Sequence, residues 1–315
     1  MNTGLSKNYD PDFKPTPEWL AGMPDMQNEP FEGRYIDMVG ITNFRLPLTI
    51  KQKDGGTQQV LASIHGFTDV QSSKLGLNLS RIIRTFYKSK DEIFDISKLE
   101  SVLKQYKADQ DAFNANIQLE FDYYVTQNSL LSRDENGNPN VGYYVVHCVI
   151  DASIDKSGRF SKQLKVYWQY SSACKCSTAL SEYAGDTLGL GADPHSQRST
   201  AAITVKFDGM VWIEDIIEHC RKSLVTECQS IVKREDECWF AVLNYAHQKF
   251  IEDATRLIAK QLDTDTNIKD YKVLMCHAES LHQSSVLGLI TKGVENSEYT
   301  NYVSSAEMKE LLMMC

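Results

Sequence analysis

The same order of strand-like and helix-like segments occurs twice in this chain of 315 residues, and this repetition restricts the possible fold more than any other feature. In the first half, apolar alternation predicts paired strands at 35–50 and 59–67 and again at 117–123 and 143–150. Helical apolar spacing lies between the two pairs, at 75–86 and 96–106. The predicted order is therefore strand-strand-helix-helix-strand-strand.

The second half repeats this order. We predict strands at 164–170, 202–207, 271–278 and 286–291, with helices at 213–224 and 238–262 between the pairs. Sequential antiparallel strands with helices on one face form an α+β fold. We therefore predict an extended N-terminal arm at 1–33, a first module at 34–155, and a second module at 156–315 that carries most of the site residues.

Composition excludes several classes of protein. No apolar run of about 18 residues exists, so we expect no transmembrane helix. The first residues lack the apolar core of a signal peptide, which predicts a cytoplasmic protein whose eight cysteines are thiols, metal ligands or catalysts. A net charge of −9 argues against a nucleic-acid partner, although a local basic pocket could still bind a small anion.

Two cysteines and a histidine form the first candidate site, in the stretches CKCS and PHSQRS. A structural zinc site needs four protein ligands, whereas a catalytic one needs three and leaves a position for water. Cys174 or Cys176, together with His195 and a carboxylate, would satisfy the second pattern. The alternative is two buried structural thiols and a surface histidine. Arg198 suits a phosphate or a surface carboxylate equally well.

Carboxylates and a further histidine follow in the second half. Glu237 and Glu252 would lie about 22 Å apart on one unbroken helix, so either the helix breaks near 244–247 or they serve different sites. Two solvated carboxylates are the alternative. His282, in the stretch ESLHQ, follows a predicted strand and could enter a site there. Glycine-rich phosphate loops, nucleophile-elbow serines and HExxH helices are absent from the sequence.

Together these motifs resemble the prokaryotic type IB GTP cyclohydrolases, from about residue 36 to residue 292. The matching stretches include DMVGITNFRLPLTI, GLNLSRI, CKCSTALSEYA, PHSQRS, REDE, FIEDATRLIA and ESLHQ. The resemblance implies two tandem tunnelling-fold modules in each chain and a homotetramer with active sites between subunits. It also implies conversion of GTP to 7,8-dihydroneopterin triphosphate and formate, the first step of folate synthesis, with Zn²⁺ or Mn²⁺.

The same resemblance assigns roles to residues. The essential cysteine of the family falls on Cys174, and Cys174, Glu237 and a histidine would hold the metal, which activates water for attack on C8 of guanine. That histidine is His195 or His282, and either would also move protons. Whether Cys174 or Cys176 binds the metal stays open.

Substrate contacts follow in the same way. Glu252 matches the glutamate of the family's Phe-x-Glu-Asp element and would accept hydrogen bonds from the guanine N1–H and amine. Arg81 and Arg198 are candidates for binding the triphosphate.

The chain departs from the family pattern at several positions. Lys175 replaces the usual proline between the cysteines, and about nine extra residues lie near 185–193. Asn78 and Ser284 stand where the family has histidines, and Gln248 replaces a proline between the two glutamates. Two alternatives therefore stay open. One is an enzyme similar to the nitrile reductases, with a nucleophilic cysteine, NADPH and no metal, and the other is a non-catalytic binder of purines or pterins.

Overall fold

The computed structural model describes residues 10, 12–24, 31–88, 92–293 and 303–314. Within them, nine strands form one sheet in the order β3-β1-β2-β4-β5-β6-β7-β8-β9. Neighbouring strands are antiparallel except for β1 and β3. The strands are β1 (Ile36–Lys51), β2 (Thr57–Val70), β3 (Ile93–Phe94), β4 (Ala115–Arg133), β5 (Pro139–Ile154), β6 (Phe160–Ala173), β7 (Ser196–Phe207), β8 (Ile268–His277) and β9 (Val286–Lys292).

The helices fall mainly between the strand pairs, so the predicted order occurs twice and the α+β class is confirmed. They are α1 (Pro17–Ala21), α2 (Ser80–Lys88), α3 (Leu99–Gln110), α4 (Lys175–Leu188), α5 (Ile213–Leu224), α6 (Arg234–Ala246), α7 (Ile251–Leu262) and α8 (Ser305–Met314). The single helix predicted at 238–262 is two helices, α6 and α7, that are separated at 247–250.

The main core lies between one face of the sheet and helices α2, α3, α5 and α7. Because side chains alternate along a strand, Leu164, Val166 and Trp168 of β6 point into this core while Tyr167 points to the other face. Leu164, Val166 and Trp168 have no exposed surface. Burial on this scale fixes the register of the central strands, since a slip of one residue would expose the whole apolar set.

The sheet continues through the predicted module boundary at 155/156. Strands β5 and β6 pair from Cys148–Val166 to Ile154–Phe160 around a tight turn at 155–159, where Gly158 has φ of 85°. A positive φ favours glycine at this position. Both halves contribute to one core. The division into two modules therefore remains a prediction.

Two features at the chain ends differ from the predictions. Helix α8 packs on one face of the sheet, and the helices that build the main core pack on the other. On its face, Leu311 of α8 contacts a cluster that includes Tyr167 and Leu274. The N-terminal arm was predicted to be extended, but its described part contains the short helix α1, capped by Thr16 Oγ1 accepting from Trp19 N–H at 3.2 Å. In the described part of the chain, none of the helices has the length and apolarity needed to cross a bilayer.

Candidate active site

Cys174 and His195 are neighbours at one end of the sheet, although 21 positions separate them in sequence. Strands β6 and β7 pair as far as Ala173–Ser196, and the Cys174 N–H then donates to the His195 carbonyl at 3.2 Å. The His195 N–H in turn donates to Ser177 Oγ at 3.1 Å. The chain therefore leaves the sheet at Cys174 and returns to it at His195.

The segment between these residues is helix α4, which the sequence did not predict. Cys174 is its N-cap residue, with φ −78° and ψ 123°, and its carbonyl accepts from Thr178 N–H at 2.9 Å. The helix ends at Leu188 and is followed by the C-cap residue Gly189, whose φ of 66° is left-handed. The extra residues near 185–193 lie at the end of α4 and in the loop after it. They lengthen the connection between Cys174 and His195 without moving these two residues apart.

The two cysteines occupy different surroundings. Cys174 is half-buried beside His195, whereas Cys176 is exposed in the first turn of α4. Positions i and i+2 of a helix do not share a face. Within one chain, therefore, the two thiols are not buried together. Cys174 also lies at a helix N-terminus, which favours negatively charged groups.

Polar side chains orient the His195 ring. Its Nδ1 lies 3.2 Å from Gln197 Oε1 and 3.6 Å from Glu279 Oε2. The Gln197 amide nitrogen donates to Ser172 Oγ at 2.9 Å, so its oxygen faces the ring as an acceptor. Nδ1 then carries the proton of the neutral ring, which leaves the Nε2 lone pair for a metal or for proton transfer.

A second histidine, which is buried, lies beside the other carboxylate oxygen of Glu279. His277 is 2% exposed, and its Nε2 lies 2.7 Å from the Tyr170 hydroxyl. Its Nδ1 lies 3.8 Å from Glu279 Oε1. Burial and the charge of Lys249 lower the pKa of His277 to about 4, so this ring is neutral near neutral pH. The Glu279 carboxylate thus lies between two imidazoles. A role for Glu279 or His277 was not predicted from the sequence.

The break between α6 and α7 places Glu252 near Cys174. The Lys249 N–H donates to the Ala173 carbonyl at 3.1 Å, and Lys175 Nζ lies 2.7 Å from Asp253 Oδ2. Glu252 therefore lies in the helical turn of α7 that contacts the start of α4. Burial lowers the pKa of Lys249 to about 8, and the charge of Lys175 acts in the same direction.

His282 lies in the exposed loop between β8 and β9. Its N–H donates to the Glu279 carbonyl at 3.4 Å. One sheet end therefore brings together Cys174, His195, the Glu252 turn and the loop that carries His282.

Glu237 does not join this group within one chain. It lies in the first turn of α6, about 14 Å by helical rise from Ala246 at the end of that helix. The turn is held at the end of β4, where the neighbouring Asp236 accepts from the Leu131 and Ser132 N–H groups at 2.7 and 2.9 Å.

Arg81 lies elsewhere in the chain, whereas Arg198 lies in β7, three positions after His195. Arg81 of α2 donates to the Asp109 carbonyl, close to the start of β4. Glu237 lies beside the other end of that strand, roughly 50 Å along it at about 3.3 Å per residue. Arg198 is exposed, and strand alternation directs it to the opposite face from the buried Gln197. Among the residues placed by the structure, no three histidine, cysteine, aspartate or glutamate side chains are grouped closely enough to hold a metal ion.

Replacing Asp236 by asparagine should destabilise the protein by about 1–3 kcal/mol at neutral pH, because the buried carboxylate accepts three backbone N–H groups, including that of Lys233 at 2.8 Å. Burial alone would raise the pKa of Asp236, but these hydrogen bonds outweigh it and hold the pKa well below its usual value. The stabilisation is therefore present at neutral pH and is lost as the pH falls below about 4.

Urea unfolding at neutral and acid pH tests this effect. The difference between wild type and Asp236→Asn should shrink in acid, and Glu235→Gln on the same turn should match wild type at both pH values. A difference that stays constant with pH would contradict the assigned role of Asp236.

Comparison with known protein families identifies the family of this chain. A family model described as type I GTP cyclohydrolase folE2 matches residues 23–288, which include all of the candidate residues above. The chain belongs to the FolE2 family.

Individual FolE2 relatives match over nearly the same length. The GTP cyclohydrolase FolE2 of Roseobacter denitrificans is 39% identical over 297 residues, covering 92% of this chain and 79% of the relative. That of Paracoccus denitrificans is 37% identical over 298 residues, covering 92% and 90%.

A solved structure supports the fold. A highly active BTUO mutant aligns with a TM-score of 0.50 and 9% identity over 82% of this chain and 99% of that one. Together with the doubled strand and helix order, this likeness confirms the tunnelling fold.

The structure explains two departures from the FolE2 pattern. Lys175, where the family has proline, forms the ion pair with Asp253. Gln248 replaces the proline between the two glutamates, yet the helix still breaks there; the Lys249 N–H bonds to the sheet at Ala173, and Asp253 caps the start of α7.

Proposed function

We propose that this chain is a metal-dependent GTP cyclohydrolase that converts GTP and water to 7,8-dihydroneopterin triphosphate and formate, the first step of folate biosynthesis. The observation that carries the proposal is the convergence of Cys174, His195 and the Glu252 turn at one end of the sheet in a FolE2 family chain. These residues provide a thiol, an oriented imidazole and a carboxylate.

The donor set suits a divalent metal in its chemistry. Cys174 and the free Nε2 of His195 would hold Zn²⁺, which prefers thiolate and imidazole, and a carboxylate such as Glu237 would also suit Mn²⁺. His282 is the other candidate ligand. A bound metal would supply Lewis-acid activation of water for attack at C8.

The protein side chains then position the purine and move protons. Glu252 would accept hydrogen bonds from the guanine N1–H and the exocyclic amine, which fixes C8 relative to Cys174 and His195. His195, held by Gln197 through Nδ1, would exchange a proton with the substrate through Nε2 when it is not a ligand. Glu279, with Oε2 at 3.6 Å from Nδ1 of the same ring, would help to hold the ring in this orientation.

A neighbouring subunit would complete the site. Arg81 and Glu237 lie away from Cys174 in one chain, and Arg198 points to the opposite face of the sheet from Gln197. We propose that these three residues approach the site from other chains of a cytoplasmic homotetramer. Apolar side chains exposed on α4 and α6 support an interface on these two helices: Leu180 at 66%, Tyr183 at 66%, Trp239 at 41% and Val242 at 45%.

Removal of the metal tests the proposal. Protein treated with a chelator should lose the formation of neopterin from GTP, detected by fluorescence after oxidation and dephosphorylation, and added Zn²⁺ or Mn²⁺ should restore it. The expected loss is about 10³-fold or more, because metal activation of water contributes several kcal/mol to the rate. Full activity of metal-free protein would contradict the metal-dependent mechanism, and folded, metal-loaded protein that produces no neopterin would contradict the proposed function.

A further inference from the structure

One ion pair joins the residues that directly follow two candidate site residues. Lys175 follows Cys174, Asp253 follows Glu252, and Lys175 Nζ lies 2.7 Å from Asp253 Oδ2. The Lys175 ammonium also lies 5.8 Å from the centre of the Phe250 ring. A backbone hydrogen bond joins the same two segments: the Lys249 N–H donates to the Ala173 carbonyl at 3.1 Å. The start of α4 is therefore attached to the start of α7 at two points.

We propose that Lys175 and Asp253 are positioning residues that set the distance between the Cys174 thiol and the Glu252 carboxylate during turnover of GTP. This inference rests on the proposed function. The purine would be held at Glu252 while the bond to C8 is attacked near Cys174, so a shift of either helix end would move the reacting atoms apart. Misplacement on the order of 1 Å can cost about 100-fold in rate.

The pair is suited to positioning more than to stability. Lys175 and Asp253 are 44% and 31% exposed, and ion pairs at such exposure contribute little to folding. Asp253 has a separate structural role, because its carboxylate also accepts from the Phe250 N–H at 3.1 Å at the start of α7. Substitutions must therefore keep that acceptor.

Four variants separate positioning from structure. Lys175→Met removes the charge and keeps the aliphatic stem over Phe250, and Asp253→Asn removes the charge and keeps an acceptor for Phe250. Both should lower kcat for GTP at least fivefold, with KM changed less than threefold and melting temperature nearly unchanged. The double variant should be within twofold of the worse single variant, because both changes remove one interaction. Lys175→Arg, which keeps the charge, should retain kcat within threefold of wild type.

The control is an exposed ion pair on α5, Lys222–Glu218, with 3.4 Å between Nζ and Oε1. Lys222→Met should leave kcat and KM unchanged. Single variants with wild-type kcat, or a double variant whose loss equals the product of the single losses, would overturn the positioning role while the wild type still turns over GTP. If the wild type and Lys222→Met both fail to turn over GTP, the proposed function fails and the positioning role fails with it.

Discussion

Replacement of Cys174 by alanine is expected to abolish turnover of GTP, with kcat reduced by about 10³-fold or more. The thiol lies at the N-terminus of α4, next to His195, and is the proposed metal ligand. Loss of a metal that activates water removes several kcal/mol of transition-state stabilisation. The variant should also bind less than one tenth of the wild-type content of zinc, measured by elemental analysis after dialysis.

Cys176→Ala is the matched control. This thiol is exposed in the first turn of the same helix, two positions away. Its replacement by a good helix former should leave kcat within about twofold of wild type. Full activity in Cys174→Ala, or loss of activity only in Cys176→Ala, would show that the wrong cysteine has been assigned.

Replacement of Glu252 by glutamine should lower kcat/KM for GTP by about 10²–10³-fold. A carboxylate can accept from both the guanine N1–H and the amine, whereas a glutamine amide offers one acceptor and places a donor against a donor. Hydrogen bonds to charged groups contribute about 1.5–3 kcal/mol each. Glu252 is exposed in the first turn of α7, so its replacement should not disturb the core.

Inosine triphosphate, which lacks the amine, provides an internal control for Glu252→Gln. The wild type should prefer GTP over inosine triphosphate by at least tenfold, because a site that pairs an amine discriminates against its loss. In Glu252→Gln this preference should fall to less than threefold. If the variant keeps the wild-type preference, Glu252 does not bind the guanine edge, and a uniform loss for both nucleotides would indicate a structural role.

The sequence predicted the central strands and the core helices because burial determines their pattern. Ile117, Leu119, Phe121 and Tyr123 alternate in β4, and all four are buried. Helix α4 was missed because Thr178 is its one fully buried residue, so it has no apolar stripe to recognise. Helix α8 packs through a small cluster around Leu311, which is too short a pattern to predict.

The break between α6 and α7 could not be predicted with certainty from the sequence, for a different reason. No proline or glycine lies at 247–250. At the break, the Lys249 N–H donates to the Ala173 carbonyl, and the Asp253 carboxylate caps the new helix by accepting from the Phe250 N–H. Local preference cannot show a partner that lies more than 70 positions away.

The motifs predicted which residues belong to the candidate site, but not how these residues are arranged in space. The proximity of Cys174 and His195 depends on the pairing of β6 with β7, and the orientation of the His195 ring depends on Gln197 and Glu279. Glu279 lies in the quoted stretch ESLHQ, so attention to its carboxylate as well as to His282 would have found it. The positions of Arg81 and Glu237 could not be predicted from the motifs. They depend on the path of β4, which has Arg81 near its start and the Glu237 turn at its end.

The proposed reaction would remove C8 of GTP as formate, so an isotope label at C8 follows it directly. Metal-loaded protein is incubated with GTP labelled with ¹³C at C8, and the products are followed by NMR. Labelled formate and unlabelled dihydroneopterin triphosphate should appear in equal amounts, and neither should form with Cys174→Ala. Label that stays in an intact purine, with folded and metal-loaded wild-type protein, would contradict the proposed reaction.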